Sequence, residues 1–389
     1  MNVPKLRFKE FSGEWEEKLI GDCFVKINDR NKTKSINNII SNTAKYGLVK
    51  QEQYFDKDIA IQENTENYYV IDKGDFVYNP RKSVEAPYGP IRLYQLEETG
   101  IVSPLYLCFR SKNKLFDYFY NYFFQSSKWY RYIYRNGDSG ARADRVNIKD
   151  EVFFSLNTFL PILDEQEKIV DFLDIVCRKI NNQQAIVESL EKQKKGLMQK
   201  IFSQELRFKD DDGKEFPVWE EKKLREVFNI TAGGDIDKAH VSKTKNGTFV
   251  YPVYANALTN SGVYGYSDVY KIEDDAITVT GRGDIGVAKA RTGKFYPIVR
   301  LLVLVPKEKM DIIFFENLIN YTKKYDESTG VSQLTVPQLA KIKVKIPSFE
   351  EQFKIGALFG SLDAKIEKEK VVLDHWQQIK KGLLQQMFV

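Results

Sequence analysis

Apolar residues in this chain follow two rhythms, and the change from one to the other divides it. From Ile169 they recur in steps of four and three: Ile169, Leu173, Val176, Ile180, Val187, Leu190, Leu197 and Ile201, interrupted only at Gln183 and Lys194. Adding 186 gives Ile355, Phe359, Leu362, Ile366, Leu373, Trp376, Leu383 and Met387, interrupted at Glu369 and Lys380. Alternating four and three is the heptad seam of a coiled coil, with a plain amphipathic surface helix as the bland alternative. At ~1.5 Å per residue each helix is roughly 50 Å long. Two matched seams on one chain are expected to pack on each other, antiparallel. Placing Lys194 opposite Glu369 sets Lys380 opposite Gln183, Val187 against Trp376, Leu190 against Leu373, Ile180 against Leu383 and Leu197 against Ile366. A facing carboxylate would offset part of the penalty of a lysine in an apolar seam and disfavour slipped registers. The alternative is that both lysines snorkel to solvent.

Elsewhere the apolar residues come in short runs broken by Gly, Asn, Asp and Pro. Asp75–Tyr78, Leu105–Phe109, Ala276–Thr280 and Val299–Val305 predict strands. Longer apolar spacing predicts helices at Leu115–Tyr134 and Ile312–Tyr325. The repeat extends beyond the seams. Pro161-Ile-Leu-Asp-Glu-Gln-Glu-Lys-Ile reads against Pro347-Ser-Phe-Glu-Glu-Gln-Phe-Lys-Ile, and Lys194-Lys-Gly-Leu-Met-Gln-Lys-Ile-Phe202 against Lys380-Lys-Gly-Leu-Leu-Gln-Gln-Met-Phe388. Leu6-Arg-Phe-Lys followed by Gly13-Glu-Trp-Glu-Glu-Lys-Leu19 matches Leu206-Arg-Phe-Lys followed by Trp219-Glu-Glu-Lys-Lys-Leu224. Each half is therefore a lead-in (1–17; 205–221), a variable body of mixed α/β type (18–160; 222–346) and a closing helix (161–204; 347–389).

Composition narrows the class. With 389 residues, 42% hydrophobic and 13% aromatic, the chain can bury real cores in two or three domains, and global disorder is excluded. No run approaches the ~18 apolar residues of a membrane span, and the N-terminus lacks a signal-peptide stretch. Cys23, Cys108 and Cys177 are too scattered for a disulfide framework or a zinc site, so the cytoplasm is the expected compartment. Only His240 and His375 are present, which disfavours Ser-His-Asp and metal-His chemistry. The net charge of +5 permits an acidic partner without demanding one. There is no G-x-x-x-x-G-K-S/T loop. Gly281-Arg-Gly-Asp-Ile-Gly286 matches G-x-G-x-x-G only superficially, because no helix-like pattern follows it. Asn79-Pro80-Arg81 is not the Asn-Pro-Pro-aromatic motif of amino-methyltransferases, and Asp210–Asp212 and Glu273–Asp275 read as solvated turns. The chain reads as a binding protein, with no catalytic residue, metal or cofactor of its own.

Basic and polar residues gather in the loops of both bodies. The first carries Lys26, Arg30, Lys32 and Lys34, then Lys45, then Arg81, Lys82 and Ser83, then Arg142 and Arg145. The second carries Lys238, Lys243 and Lys245, then Asn256, Arg282, Arg291, Lys294 and Arg300, then Ser332 and Gln333. Lys and Arg neutralise phosphates; Arg, Asn, Gln and Ser read base edges in the major groove. Singly, each is more often a solvated surface charge. Lys128-Trp-Tyr-Arg-Tyr-Ile-Tyr-Arg135 reads equally as an amphipathic helix with its aromatic stripe in the core.

The doubled Leu-Arg-Phe lead-in, the doubled Trp-Glu-Glu-Lys, the doubled proline-to-Glu-Gln helix start and the long helices together resemble the specificity subunit of type I restriction–modification systems, over the whole chain. The resemblance implies two pseudo-repeated target-recognition domains joined by two antiparallel coiled-coil spacer helices, with lead-in 1–17 beside the C-terminal spacer in a circular pseudo-twofold arrangement. It implies a subunit that reads a split double-stranded DNA target, one half per domain, the halves roughly one helical turn (~34 Å) apart. It would scaffold two modification (adenine-N6 methyltransferase) subunits and two restriction subunits, which would hold S-adenosylmethionine, ATP and Mg2+. The loops after the first strand (26–34; 232–245), the loops after the central strand (79–83; 281–282) and the segments before each spacer (140–145; 330–333) are the DNA-facing candidates. Two other readings stay open: a stand-alone DNA-binding or anti-restriction regulator, and a self-sufficient DNA-modifying enzyme.

Overall fold

The computed structural model describes residues 2–54, 65–138, 144–322 and 333–389. The chain forms two compact units, residues 1–183 with 372–389, and residues 184–371. Both divisions fall inside long helices, Leu163–Phe202 (40 residues) and Phe349–Gln386 (38 residues).

The first unit holds strands β1 (Glu16–Leu19), β2 (Phe24–Lys26), β3 (Ile40–Thr43), β4 (Gly47–Lys50), β5 (Tyr69–Ile71), β6 (Asp75–Tyr78), β7 (Ile91–Leu93), β8 (Gly100–Val102), β9 (Leu107–Ser111) and β10 (Asn157–Leu160). Its main sheet is antiparallel in the order β2-β9-β6-β7. Side chains alternate across it. Phe76 and Tyr78 enter an aromatic cluster with Phe24, Phe109 and helix Asp117–Gln125. Val77 and Cys108 face the other way, onto Ile40, Ile71 and Val102. Strand β6 is buried throughout because both faces are covered.

The helix expected over Leu115–Tyr134 is broken, into Asp117–Gln125 and Tyr130–Asn136. The Ser126 hydroxyl donates to the Phe123 carbonyl (2.6 Å) and accepts from Lys128 N–H (3.2 Å), offering the backbone an alternative to the helical ladder. The break turns Trp129 inward, where its indole donates to the Phe124 carbonyl (3.1 Å). Trp129 and Ile133 are buried, so Lys128–Arg135 follows the core-facing reading.

The second unit holds β11 (Glu220–Lys223), β12 (Phe228–Ala232), β13 (Val241–Ser242), β14 (Tyr251–Tyr254), β15 (Val263–Ser267), β16 (Ala276–Thr280), β17 (Ala288–Arg291), β18 (Tyr296–Pro297), β19 (Leu301–Pro306) and β20 (Lys343–Ile346). The order β12-β19-β16-β17 repeats that of the first unit, again antiparallel. The two bodies thus share a sheet that their sequences do not show. What is added differs: hairpin β3-β4 and pair β5-β8 in the first, sheet β13-β15-β14-β18 in the second. The helix expected over Ile312–Tyr325 is described as Ile312–Tyr321, and residues 323–325 lie outside the described residues.

The repeated motifs explain themselves as a clasp, built once in each unit. Glu165 is 1% exposed and accepts from Arg7 Nε and Nη2 (both 2.8 Å) and from the Trp15 indole (3.3 Å). Glu351, fully buried, accepts from Arg207 Nη2 (2.6 Å) and Nε (3.2 Å) and from the Trp219 indole (3.0 Å). Gln166 and Gln352 close the helix start by donating to the Pro161 (2.8 Å) and Pro347 (3.0 Å) carbonyls. The lead-in strands complete the clasp, β1 pairing β10 and β11 pairing β20. Leu6 N–H donates to the Gln386 carbonyl (2.9 Å) in the first unit.

No seam position of either long helix is exposed. The expected register is corrected. The Lys194 ammonium bonds Asp363 (2.6 Å), six residues before Glu369, and Lys370 pairs with Glu191 (2.6 Å). The partner number falls as the residue number rises, so the helices are antiparallel within this unit. Leu197 joins a cluster with Ile355, Phe359 and Leu362, the turn before Ile366. Side chains lean toward their own helix N-terminus. On antiparallel helices they lean in opposite directions, so tips that meet belong to offset backbone positions. Lys380, expected opposite Gln183, donates to Gln125 Oε1 (2.9 Å) on helix Asp117–Gln125.

One buried acid departs from the apolar plan. Asp117 is 6% exposed, its Oδ1 has no hydrogen-bond partner among the described residues, and burial raises its carboxyl from 3.8 to about 6. A raised acid favours the protonated form in the fold, so stability falls as pH rises from about 4 to 6. Asp117→Asn is expected to stabilise the protein by about 1–2 kcal/mol at pH 7.5. Melting curves should show no gain at pH 3.5; an equal gain at both pH values would refute the titration.

Candidate nucleic-acid interface

In the first body two of the three expected segments meet. Lys82 N–H donates to the Asp144 carbonyl (2.8 Å), Val146 N–H to the Pro80 carbonyl (2.9 Å), and Arg81 bridges Arg145. The loop after β6 is thereby laid along the segment before the spacer. A cavity of about 380 Å³ opens beside them, lined among others by Arg81, Lys82, Ser83, Arg145, Asn42 and Asn79. No carboxylate lines it among the described residues. Asn42 braces the floor, its Nδ2 donating to the Val77 (2.7 Å) and Pro90 (3.0 Å) carbonyls. Asn79 Nδ2 donates to the Asn42 carbonyl (2.8 Å). Asn42 Oδ1 and Arg145 Nε are shielded from solvent and have no hydrogen-bond partner among the described residues. Val84, wholly exposed beyond Ser83, adds an apolar side chain to this polar loop. A lone valine in the polar run Ser83–Glu85 was its only sequence signal. Arg142 lies outside the described residues.

The early loop of the first body is more structural than expected. Arg30 stacks on Tyr69 (3.8 Å to the ring centre) and donates to its hydroxyl (2.9 Å) and to the Asn67 carbonyl (2.5 Å). Lys26 pairs with Asp150 (2.5 Å) and Lys34 with Glu66 (3.7 Å). Lys32 and Lys45 are exposed, Lys45 lying over the Tyr46 ring (5.0 Å).

In the second body the contact is made just beyond the expected segment: Leu334 N–H donates to the Gly281 carbonyl (2.7 Å), while 330–332 lie outside the described residues. Asn256 is a brace here, because both ends of its amide bond backbone. Oδ1 accepts from Gly281 N–H (2.6 Å) and Arg282 N–H (3.2 Å), and Nδ2 donates to the Arg282 carbonyl (2.6 Å). Arg291 is corrected to a core residue. It is 9% exposed, stacks on Tyr254 (3.9 Å) and donates to Thr278 Oγ1 (3.0 Å), and burial lowers its pKa. Arg282 is exposed and makes no ion pair among the described residues. Lys238, Lys245 and Gln333 are exposed, and Lys243 lies over the Tyr264 ring (3.9 Å). Ser332 lies outside the described residues. Among the described residues there is no cluster suited to a metal ion and no helix long and apolar enough to cross a membrane.

Each unit thus carries a loop cluster on a copy of one sheet, and a copy of one clasp at the start of its long helix. The model of the type I restriction modification DNA specificity domain matches residues 12–192 and 218–373. The chain belongs to the type I restriction–modification DNA specificity family. A type I specificity subunit of Mycoplasma pneumoniae is 28% identical over 220 residues, 56% of this chain and 58% of that one. The chain thus spans somewhat more than half the length of that relative. The MjaVIII specificity subunit of Methanocaldococcus jannaschii is 26% identical over 320 residues, 74% of this chain and 73% of that one. The crystal structure of the type I S subunit from M. genitalium shares the fold, with a TM-score of 0.63 at 17% identity over 100% of this chain and 99% of that one. The matched ranges of the family model begin near each lead-in and end within each long helix.

Proposed function

We propose that this chain is the DNA-reading subunit of a type I restriction–modification complex, each recognition domain (18–160; 222–346) reading one half of a split target. The observation that carries it is the same sheet order in both units bearing different added strands and different loop chemistry. A shared scaffold with divergent loops is what two independent readers on one chain require. Phosphate contacts would come from exposed lysines such as Lys32, Lys45, Lys238 and Lys245, and base contacts from Arg81, Arg145, Arg282 and Gln333. The remaining candidates, Lys26, Arg30, Lys34, Lys82, Ser83 and Lys243, would shape the loops. In this reading the chain contributes recognition and no catalytic group. Two modification subunits would dock on the spacers (161–204; 347–389) and, with two restriction subunits, supply S-adenosylmethionine, ATP and Mg2+ chemistry in the cytoplasm. Methylating an adenine needs the base out of the stack, so those subunits need a scaffold that aims them.

The test is a methylome. The chain is expressed with its modification subunit in a methylase-free host and modified adenines are mapped. A split motif with two short halves is expected. Arg282→Ala should weaken discrimination in one half about tenfold and leave the other intact. Loss in both halves would refute independent reading, and no modification by a soluble complex would refute the role.

A further inference from the structure

The second body concentrates backbone strain at one place. Of five non-glycine residues with positive φ in the described chain, three lie here: Asn260 (50°), Ser261 (50°) and Arg300 (72°). Asn260 and Ser261 belong to the loop that begins at Asn256 and is closed by Ala255 N–H on the Gly262 carbonyl (2.8 Å). Arg300 sits on the opposite side of the same knot. Gly281 N–H donates to its carbonyl (3.1 Å), and Gly233 N–H to the carbonyl of Leu301 beside it (2.7 Å). Gly281 must be glycine: a Cβ there would stand 2.5 Å from the Arg300 carbonyl oxygen and 3.1 Å from that of Leu334. Asn256 and Gly281 therefore lock four chain segments together, and Arg282 and Arg300 emerge from them as neighbours along the knot.

The Arg300 side chain is exposed and makes no ion pair or side-chain hydrogen bond among the described residues. Left-handed backbone is cheap for glycine and strained for arginine. Nothing among the described residues uses this guanidinium, yet the turn carries it at a strained position. Strain of this kind points to function when the side chain has no structural task.

We propose that Arg300 is a specificity-determining residue of the second recognition domain, reading a base edge beside Arg282, with Asn256 as the positioning residue that holds both. The proposal rests on the DNA-reading role above. A guanidinium presents two parallel donors to guanine O6 and N7, and a locked backbone limits the conformational freedom lost on binding. Asn256→Asp keeps the acceptor for two N–H groups but loses the donor to the Arg282 carbonyl.

Three variants of the full chain, R300G, R300K and N256D, are assembled with the modification subunit, and each is assayed by methylome mapping and by melting. R300G relieves the backbone and should raise Tm by about 2 °C while one base pair of one half-site loses about tenfold discrimination. R300K keeps the charge and the strain, and should lose that discrimination with Tm unchanged. N256D should blur the same half-site. An unchanged motif in R300G and R300K, beside a wild-type complex that reads a split target, overturns the proposal and leaves the DNA-reading role standing. A fall in Tm for R300G would make Arg300 a structural residue and also overturn it. A wild-type complex that methylates nothing fails the underlying role instead.

Discussion

Replacing Glu351 by alanine is expected to destabilise the second unit by about 3–4 kcal/mol. The carboxylate is fully buried and serves three donors, two on Arg207 and one on Trp219. Its removal leaves Arg207 Nε and an enclosed indole N–H without their acceptor, while Nη2, on a side chain 24% exposed, keeps the Phe216 and Pro217 carbonyls. The penalty is that of stranded donors more than of a lost ion pair, since a well-packed apolar replacement of the whole set could be neutral. Glu351→Gln retains one carbonyl acceptor and should lose about half as much. Glu165→Ala repeats the experiment in the first unit, on Arg7 and Trp15. Denaturant melts give the magnitude. Hydrogen exchange gives the location: E351A should lose protection in β11 and β20, and E165A in β1 and β10. A loss below 1 kcal/mol, or one spread equally over all four strands, would mean that the clasp does not hold the lead-in.

Gly356→Ala is expected to cost about 2–3 kcal/mol, although alanine is the better helix former by about 1 kcal/mol. A Cβ at 356 would lie 2.2 Å from Asp311 Oδ1 and 2.5 Å from its Cγ. That carboxylate caps helix Ile312–Tyr321 by accepting from Phe314 N–H (2.7 Å). Burial raises its pKa, and the hydrogen bonds from Phe314 and Ile313 lower it. The added methyl forces the cap away, combining about 1 kcal/mol for the cap with about 1–3 for overpacking. Adding Asp311→Gly removes the clash and keeps a tolerable cap, so the double variant should recover most of the stability. Equal melting of wild type and Gly356→Ala would show that the long helix is not seated against this cap.

Much of this was legible before the structure. The heptad steps from Ile169 and Ile355 fall on positions that are never exposed. Strands over Asp75–Tyr78 and Ala276–Thr280 have the expected ends. The strands near Leu105 and Val299 start two residues later, at Leu107 and Leu301, because apolar runs do not mark where pairing begins. The candidate site was legible as loops but not as roles. Asn256 and Arg291 carry the residue types that read bases, yet one braces backbone and the other stacks in the core. Arg30 reads as basic in the sequence, but its ring partner, Tyr69, is 39 residues away.

The chain's own pattern determined the repeat, the long seamed helices and the family, because these rest on local period and short motifs. Tertiary structure alone decided the partner of Lys194, the break at Ser126, the common sheet of two dissimilar bodies and the knot that presents Arg282 and Arg300. Each of these depends on which distant segment supplies a carboxylate, a carbonyl or a covering face. Period records that a position is buried; only the fold determines against what.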